Sequence, residues 1–420
     1  MPFRIALSGL NAASSDLKVT GNNIANAGTT GFKSSRTEFG DVYATSLGGV
    51  SSTAVGGGVR LSRVAQQFSQ GNIQFTNNNL DLAINGEGFF VLNDSGANVY
   101  TRSGAFSVDR NGYVVNSSGQ RLQIFKPVGT SSNTFNTGSL NDLQISLTEG
   151  SPRATSKVDM SVNLDASDTS AGAVSNFSPT DATTYDYSTS YTVYDSLGAE
   201  HTATQYFLKD PTAANTWHTW LYVDNGTTAT NVTKGGNASV TLEFGADGSL
   251  AKVDGVAAQT VNYDNLTMTN GANPLSMQLD LSKMTQYGGD YSVSTLSQNG
   301  FATGRLTGLD VSDSGVVSAR FTNGQSQSLG KIALANFPNP QGLRQLGDTN
   351  WSETFDSGDV LVGEAGTASF GLIQSGALEA SNVDIAEQLV NLITAQRNFQ
   401  ANSQVIRTAD TITQTIINIR

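Results

Sequence analysis

The chain has 420 residues, of which only 14% are charged, with 44 glycines and no cysteine. This composition excludes a highly charged disordered chain, a disulfide framework and a thiolate metal site. The formal net charge of −12 argues against nucleic-acid binding by the bulk of the chain, and no run of apolar residues is long enough for a membrane span.

The first predicted element is a helix at the start of the chain. Apolar residues recur there every seven positions, with a further leucine on the same face: Phe3, Leu7, Leu10, Leu17 and Ile24. This spacing keeps an apolar stripe facing a partner helix in a left-handed supercoil. The apolar run at 5–7 is too short for the core of a cleaved signal sequence. The pattern predicts a coiled-coil helix that ends near Gly28.

Glycine, serine and threonine dominate residues 40–58. Such composition gives the backbone freedom and buries little apolar surface. We predict an extended connector over 31–72, and a plain flexible loop is an equally good interpretation of its glycine-rich part.

The middle of the chain changes to strands and turns. Residues 80–84 alternate apolar and polar, turn at 85–88 and continue into another strand. Further along, 191–194 and 201–208 predict a hairpin around a turn at 195–198. We predict two nested β-rich domains, a middle one formed by 73–147 with 290–374 and an inserted outer one formed by 148–289.

The last predicted element is a second long helix. Apolar residues again recur at seven-residue spacing, flanked by two more: Ile385, Leu392, Phe399 and Ile406, with Leu389 and Ile416. Neither glycine nor proline occurs over 381–420, so we predict one uninterrupted helix with Ser381 as its N-cap. The fold class is therefore mainly β with helical ends, and 1–30 with 375–420 form a terminal coiled-coil domain.

The two terminal helices favour a self-assembling protein. An isolated helix of this kind is marginal in water, and pairing the two helices hides one stripe only. Ile412, Ile417 and Ile419 lie on other faces. Many copies packed into a tube would cover them, although a helix pair within one monomer and a terminal dimerisation coil remain open. The eleven apolar residues named above in the two helices are the predicted self-assembly residues.

Four ordered motifs resemble the flagellar rod and hook axial protein family. They are SGLNA at 8–12 continuing through NNIANA at 22–27 and TGFK at 30–33, then LAINGEGFF at 82–90, then YTRSGAF at 100–106 with NGY at 111–113, and finally GALEASNVD at 376–384 with AQRNFQAN at 395–402. The long β-rich insertion resembles hook members more than rod members. So does NFPNPQGL at 336–343, a stretch that distal rod relatives share.

The resemblance implies a structural subunit of the extracellular flagellar hook, a curved tubular universal joint that transmits torque from rod to filament. It implies export by the flagellar type III apparatus without signal cleavage. The implied partners are other copies of the chain, the distal rod, the hook cap and the hook-filament junction proteins. A distal rod or other axial component is the alternative, and an extracellular glycan-binding β protein is a third reading.

Candidate chemistry is sparse. His201 and His218 lie in predicted strands and not at metal-ligand spacing, so no metal site is predicted. Residues 310–315 resemble a calcium loop without its closing glutamate and are interpreted as a turn. Trp217 and Trp220 could form a sugar platform, but burial in a β-domain is the preferred interpretation. The paired Asp356 and Asp359 carboxylates lie in a glycine-containing loop and are not interpreted as catalytic. We therefore predict neither enzymatic activity nor a cofactor.

Overall fold

Two long helices close the ends of a chain that is otherwise mainly β. The computed structural model describes residues 2–42, 56–128, 134–145, 150–367 and 369–418. Helix α1 spans Pro2–Ala25 and helix α2 spans Ile385–Asn418. The predicted fold class, mainly β with helical ends that pack together, is confirmed. Among the described residues, neither helix combines the length and apolar character needed to cross a membrane.

Helix α2 begins three residues later than the sequence predicts. The Asp384 carboxylate, not Ser381, accepts hydrogen bonds from the first-turn amides of Ala386 at 2.8 Å and Glu387 at 3.2 Å. Ser381 accepts instead from the amide of Val383, before the helix. Asp384 is therefore the N-cap, and its negative charge also suits the positive end of the helix dipole.

The chain divides into two compact units. Unit 1 comprises Met1–Leu147, Thr307–Arg320 and Ser326–Arg420, and unit 2 comprises Thr148–Leu306 and Phe321–Gln325. Unit 2 is thus an insertion in the sequence of unit 1, and each unit is described separately below.

The N-terminal strands of unit 1 precede the insertion. They are β1 (Ser35–Asp41), β2 (Val59–Gln66), β3 (Ile73–Phe75), β4 (Leu82–Asn85), β5 (Phe89–Asp94), β6 (Ala97–Thr101), β7 (Ser107–Val108), β8 (Val114–Val115), β9 (Arg121–Phe125) and β10 (Asn141–Asp142). Strands β1 and β2 pair antiparallel within 31–72, which the sequence assigns to an extended connector. Most of the glycine-rich stretch 40–58 lies outside the described residues.

The strands of unit 2 come next in the chain. They are β11 (Lys157–Asp165), β12 (Tyr187–Tyr194), β13 (Glu200–Lys209), β14 (Thr216–Asp224), β15 (Ala229–Val232), β16 (Val240–Phe244), β17 (Leu250–Val253), β18 (Thr260–Asn262), β19 (Gln278–Asp280), β20 (Thr285–Tyr287) and β21 (Ser292–Gln298). The predicted hairpin is present, since β12 pairs antiparallel with β13 and Tyr194 lies opposite Glu200. One sheet has the order β12-β13-β14-β16-β17. A second sheet has the order β18-β19-β11-β20, and β21 also pairs with β11.

The insertion extends past its predicted end. The sequence places the outer domain at 148–289, but β21 pairs antiparallel with β11 over six residue pairs and so belongs to unit 2. The strand-and-turn pattern typical of the middle domain resumes only at Phe301. The sequence therefore does not show to which domain β21 belongs. The division into four domains as a whole stays a prediction.

The remaining strands return the chain to unit 1. They are β22 (Leu306–Val311), β23 (Val316–Phe321), β24 (Ser326–Asn336), β25 (Arg344–Gly347), β26 (Asn350–Ser352), β27 (Leu361–Glu364), β28 (Leu372–Ser375) and β29 (Ala377–Glu379). A sheet of order β22-β23-β24-β9-β5-β6-β26-β25 carries an aromatic core that includes Phe89, Tyr100, Phe337 and Trp351.

Two short strand pairs join the segment that precedes α2 to strands β3 and β4. Strand β28 pairs antiparallel with β4, and β29 pairs antiparallel with β3. Because β29 ends at Glu379, just before α2, this pairing sets where α2 begins. At the other end, the amide of Gly31 donates to the Glu379 carbonyl at 2.8 Å, which places the chain after α1 beside the chain before α2.

Candidate self-assembly surface

Helices α1 and α2 pack against each other in antiparallel fashion. The side-chain amide of Asn23, near the end of α1, donates to Gln388 Oε1 near the start of α2 at 3.1 Å. Gly9, near the start of α1, faces Asn402 so closely that a Cβ there would lie 2.5 Å from Asn402 Oδ1. Contacts thus run forward along α1 and backward along α2, which defines the orientation of the pair.

The seam between the helices is built from small residues. Ala6, Ala13 and Thr20 of α1 and Ala395 of α2 are buried. Together with Gly9, they allow the two backbones to approach closely. Because these side chains are short, the seam hides little of the apolar surface that the helices carry.

The predicted self-assembly residues fall into two groups. Those at the edges of the seam are half-buried: Leu10, Leu17, Ile24, Leu392, Phe399 and Ile406. Four others are exposed to solvent: Phe3, Leu7, Ile385 and Leu389. Ile416 falls outside the residues whose side chains are described. Their role in assembly stays a prediction.

Further apolar residues of α2 are exposed. Val390, the most exposed of them at 62%, is joined by Ile393, Val405 and Ile412. Sequence reasoning placed Ile412 on another face but missed the other three, because they lie off the seven-residue stripe. Their signal was available: branched apolar residues between stripe positions of an uninterrupted helix require a second partner.

A buried charged cluster fixes the segment after α1 and the segment before α2 against the strands of unit 1. We call Lys33, Arg102 and Glu379 the helix anchor. Lys33 Nζ lies 2.6 Å from Glu379 Oε1, and Arg102 Nη1 lies 3.2 Å from Glu379 Oε2. Lys33 follows α1, Glu379 precedes α2 and Arg102 follows β6. The anchor therefore ties three distant stretches of chain at one point.

Backbone groups complete the helix anchor. Lys33 Nζ donates to the Ser69 carbonyl at 2.8 Å, the Gly71 amide donates to Glu379 Oε1 at 2.9 Å, and Arg102 Nη2 donates to the Gly86 carbonyl at 2.7 Å. Glu379 is fully buried and Lys33 is 1% exposed. Burial lowers the pKa of Lys33 below its ordinary value, and the Glu379 charge only partly opposes this shift.

Sequence reasoning missed the helix anchor. Each member lies in one of the recognised motifs, among glycines and apolar residues, where a lone charged side chain must find a partner if it is buried. That signal shows burial but not pairing, because the three residues are far apart in the chain and only the fold brings them together.

The histidines are paired with carboxylates in unit 2. His201 Nε2 lies 3.1 Å from Asp195 Oδ2, and His218 Nε2 lies 2.9 Å from Asp210 Oδ2. Asp195 also accepts from the Leu197 and Ala199 amides of the predicted turn, so this pair closes the β12–β13 hairpin. Over the described ranges, no group of three or more histidine or acidic side chains is placed to hold a metal ion.

The other candidate residues have structural surroundings. Trp217 is fully buried in the core of unit 2, and Trp220 lies under the stacked ring of Phe177 with centroids 3.9 Å apart, so neither offers an open face to a sugar. The calcium-like stretch is the turn between β22 and β23, where the Gly315 amide donates to the Ser312 carbonyl. Asp356 and Asp359 are exposed.

Four family models match successive parts of the chain. They are the flagella basal body rod protein model at residues 3–33, the flagellar hook protein FlgE/F/G D1 domain at 83–165, the flagellar basal body protein FlaE D2 domain at 163–301 and the flagellar basal body rod FlgEFG protein C-terminal model at 374–419. Helical ends around nested β units with these matches define an axial protein of the bacterial flagellum.

Relatives that align with the whole chain show which family of flagellar axial proteins it belongs to. The chain is 40% identical to the flagellar hook protein FlgE of Escherichia coli (strain K12), covering 100% of both chains, and 33% identical to that of Borreliella burgdorferi, covering 99% of this chain and 98% of the relative. A crystal structure of Helicobacter pylori flagellar hook protein FlgE2 shares the fold, with a TM-score of 0.54 at 17% identity over 73% of this chain and 100% of that one. The chain belongs to the flagellar hook protein FlgE family and is part of the bacterial flagellum.

Proposed function

We propose that this chain is the structural subunit of an extracellular hook and polymerises through the outward apolar faces of its terminal helix pair. The observation that carries the proposal is the distribution of side-chain size across that pair. Small residues fill the seam, whereas Phe3, Leu389 and Val390 point to solvent. Apolar surface left uncovered by one chain is stabilised by burial against other copies.

The proposal gives each part of the chain a place in the polymer. The helix pairs line an inner tube, and the strands of both units lie outside it. The helix anchor passes load from the helices into the strands of unit 1. Between neighbouring copies, the strand regions make contact through uncharged polar side chains. Such contacts suit a curved joint, because they can shift as the joint rotates and no strong ion pair has to break.

The partners follow from the same proposal. The tube grows on the distal rod beneath a hook cap and ends at the hook-filament junction proteins, and the chain reaches it through the flagellar type III export apparatus. The role is structural and not catalytic. The paired histidines and covered tryptophans of unit 2 support this, because each has a partner within the fold.

The test is polymerisation of the purified chain, followed by sedimentation and electron microscopy. The wild type should form curved tubes. Leu389→Asp with Val390→Asp should leave soluble chains, because two carboxylates would have to be buried in an apolar contact. Gln396→Asp, at an exposed polar position of α2, is the matched control and should polymerise like the wild type.

The other outcomes separate the alternatives. Straight tubes would favour a rod subunit, and a small closed ring would favour a cap. Soluble monomers that bind glycans saturably, with both aspartate substitutions having no effect, would favour an adhesive β protein and contradict the proposal.

A further inference from the structure

The exposed apolar residues of the helix pair form two separate patches. The first lies on the N-terminal half of α2, and we call Ile385, Leu389, Val390 and Ile393 the ridge. The second is a cavity where the start of α1 meets the C-terminal half of α2, and we call it the groove. Its lining is mostly apolar or small but includes Asp410: Phe3, Ala401, Gln404, Val405, Thr408, Ala409, Asp410, Ile412 and Thr413.

The ridge and the groove face different directions. At about 3.6 residues per turn, the centres of the two sets are roughly 120° apart around α2, on either side of the direction that points away from α1. At about 1.5 Å per residue, they are also ~26 Å apart along the axis. One straight partner helix therefore cannot cover both patches.

The two patches are complementary in shape and chemistry. The groove has one aromatic wall, Phe3, and small side chains such as Ala401 and Ala409 between its branched ones. The ridge presents four branched aliphatic side chains and no charge. A ridge of branched side chains fits a groove floored by small ones, as in other helix packings. Each chain carries one ridge and one groove, so copies supply them in equal numbers.

We propose, resting on the proposed function, that the ridge of one copy inserts into the groove of the next. Because the two patches are different and face different directions, this contact is head-to-tail: every copy that is bound leaves another ridge or groove free. Such a contact propagates into a helix or closes into a ring, and it cannot stop as a two-fold dimer. The helix pair thus sets the direction in which the polymer grows.

The test uses two variants that each lose one patch. The ridge variant carries Leu389→Asp and Ile393→Asp, and the groove variant carries Val405→Asp and Ile412→Asp. All four positions are exposed in the single chain, so folding should be unaffected. Each variant alone should fail to polymerise, with a critical concentration raised on the order of a hundredfold. Gln396→Asp again serves as the control, since it lies in neither patch.

Mixing the two variants gives the decisive result. The intact ridge of the groove variant should enter the intact groove of the ridge variant, so equimolar mixtures should form mixed pairs. Because the chain has no cysteine, the pairs can be trapped by adding Ile393→Cys to the groove variant and Thr408→Cys to the ridge variant. Oxidation should give mostly mixed disulfide-linked dimers; like-with-like dimers in equal amount would overturn the proposal.

Failure of this inference is distinguishable from failure of the proposed function. If the wild type forms tubes and either variant polymerises as readily, the ridge-to-groove contact is wrong while self-assembly stands. If the wild type forms no polymer but mixed dimers are trapped, the contact is supported and the proposed hook assembly is wrong.

Discussion

The helix pair and unit 2 differ in where they place their large apolar side chains. Unit 2 places its largest ones, such as Trp217 and Phe207, wholly inside its own core. The helix pair buries alanine in its seam and leaves Phe3 52% exposed and Val390 62% exposed. Unit 2 therefore covers its largest apolar side chains within one chain, whereas the helix pair leaves apolar side chains exposed. Under the proposed function, further copies cover the exposed side chains of the helix pair.

The largest expected effect comes from removing one side of the comparison. Deleting residues 385–420 should abolish polymerisation, because it removes α2 with its ridge and most of the groove. The thermal unfolding of unit 2 should not change, since its core is drawn from its own strands. Sedimentation and calorimetry measure the two properties. A truncated chain that still forms tubes would show that the helices are dispensable.

The next effect concerns the join between the helices and the strands. Glu379→Gln leaves Lys33 and Arg102 buried without their carboxylate, and loss of one partner from a buried ion pair costs about 3–5 kcal/mol. Amide exchange should become faster in β29 and at the start of α2 but not in unit 2. The control is Glu38→Gln, whose partners Arg36 and Arg63 are exposed and where little change is expected. Equal effects at both sites would contradict the role of the anchor.

A smaller effect is confined to unit 2 and depends on pH. Burial raises the pKa of Asp210, but hydrogen bonds from His218, Thr212 and Ala213 outweigh it and leave the pKa well below its ordinary value. Such a carboxylate stabilises the fold above its unfolded pKa of about 3.9, and this contribution is lost as the pH falls through the folded pKa. Asp210→Asn should lower the stability of unit 2 at pH 7 by on the order of 1 kcal/mol.

The pH profile is the check on that prediction. The stability difference between wild type and Asp210→Asn should shrink as the pH falls below about 4. Polymerisation at pH 7 should be unchanged, because the substitution lies outside the helix pair. A difference that grew below pH 4 would have the wrong sign.

The smallest effect tests the seam with two glycines of α1. A Cβ at Gly21 meets no atom within 4 Å, whereas one at Gly9 would collide with the Asn402 side chain. Gly21→Ala should stabilise the helix by up to about 1 kcal/mol. Gly9→Ala should gain nothing net, because Asn402 must move and lose its hydrogen bond to the Asn398 carbonyl. Circular dichroism melts of the two variants compare them; equal stabilisation would contradict the antiparallel packing.

The sequence predicts the long elements because they follow simple periodicities. The seven-residue spacing gave both terminal helices, and alternation around Asp195 gave the β12–β13 hairpin. The start of α2 was less accurate, since Ser381 and Asp384 are both good cap residues and the sequence alone does not choose between them. The predicted boundary assigns β21 to the middle domain, whereas β21 pairs with β11 of unit 2. Alternation shows that a strand exists but not which sheet it joins.

The candidate surface was predictable in part. Heptad positions such as Leu10 and Phe399 identify the seam edges, because the period alone defines that face. Val390 and Val405 lie off the stripe, so their need for a further partner could be read from the sequence, but the extent of their exposure depends on the small residues that let the helices approach. The anchor needed the fold itself, because nothing local in the sequence pairs Lys33 with Glu379.

Amide exchange of α2 tests the central claim most directly. Measured by mass spectrometry on dilute single chains and on the assembled polymer, protection over 385–418 should rise strongly on assembly, while protection of the strands of unit 2 stays the same. Equal protection of α2 in both states would mean that one chain already satisfies its terminal helices, and would contradict the account.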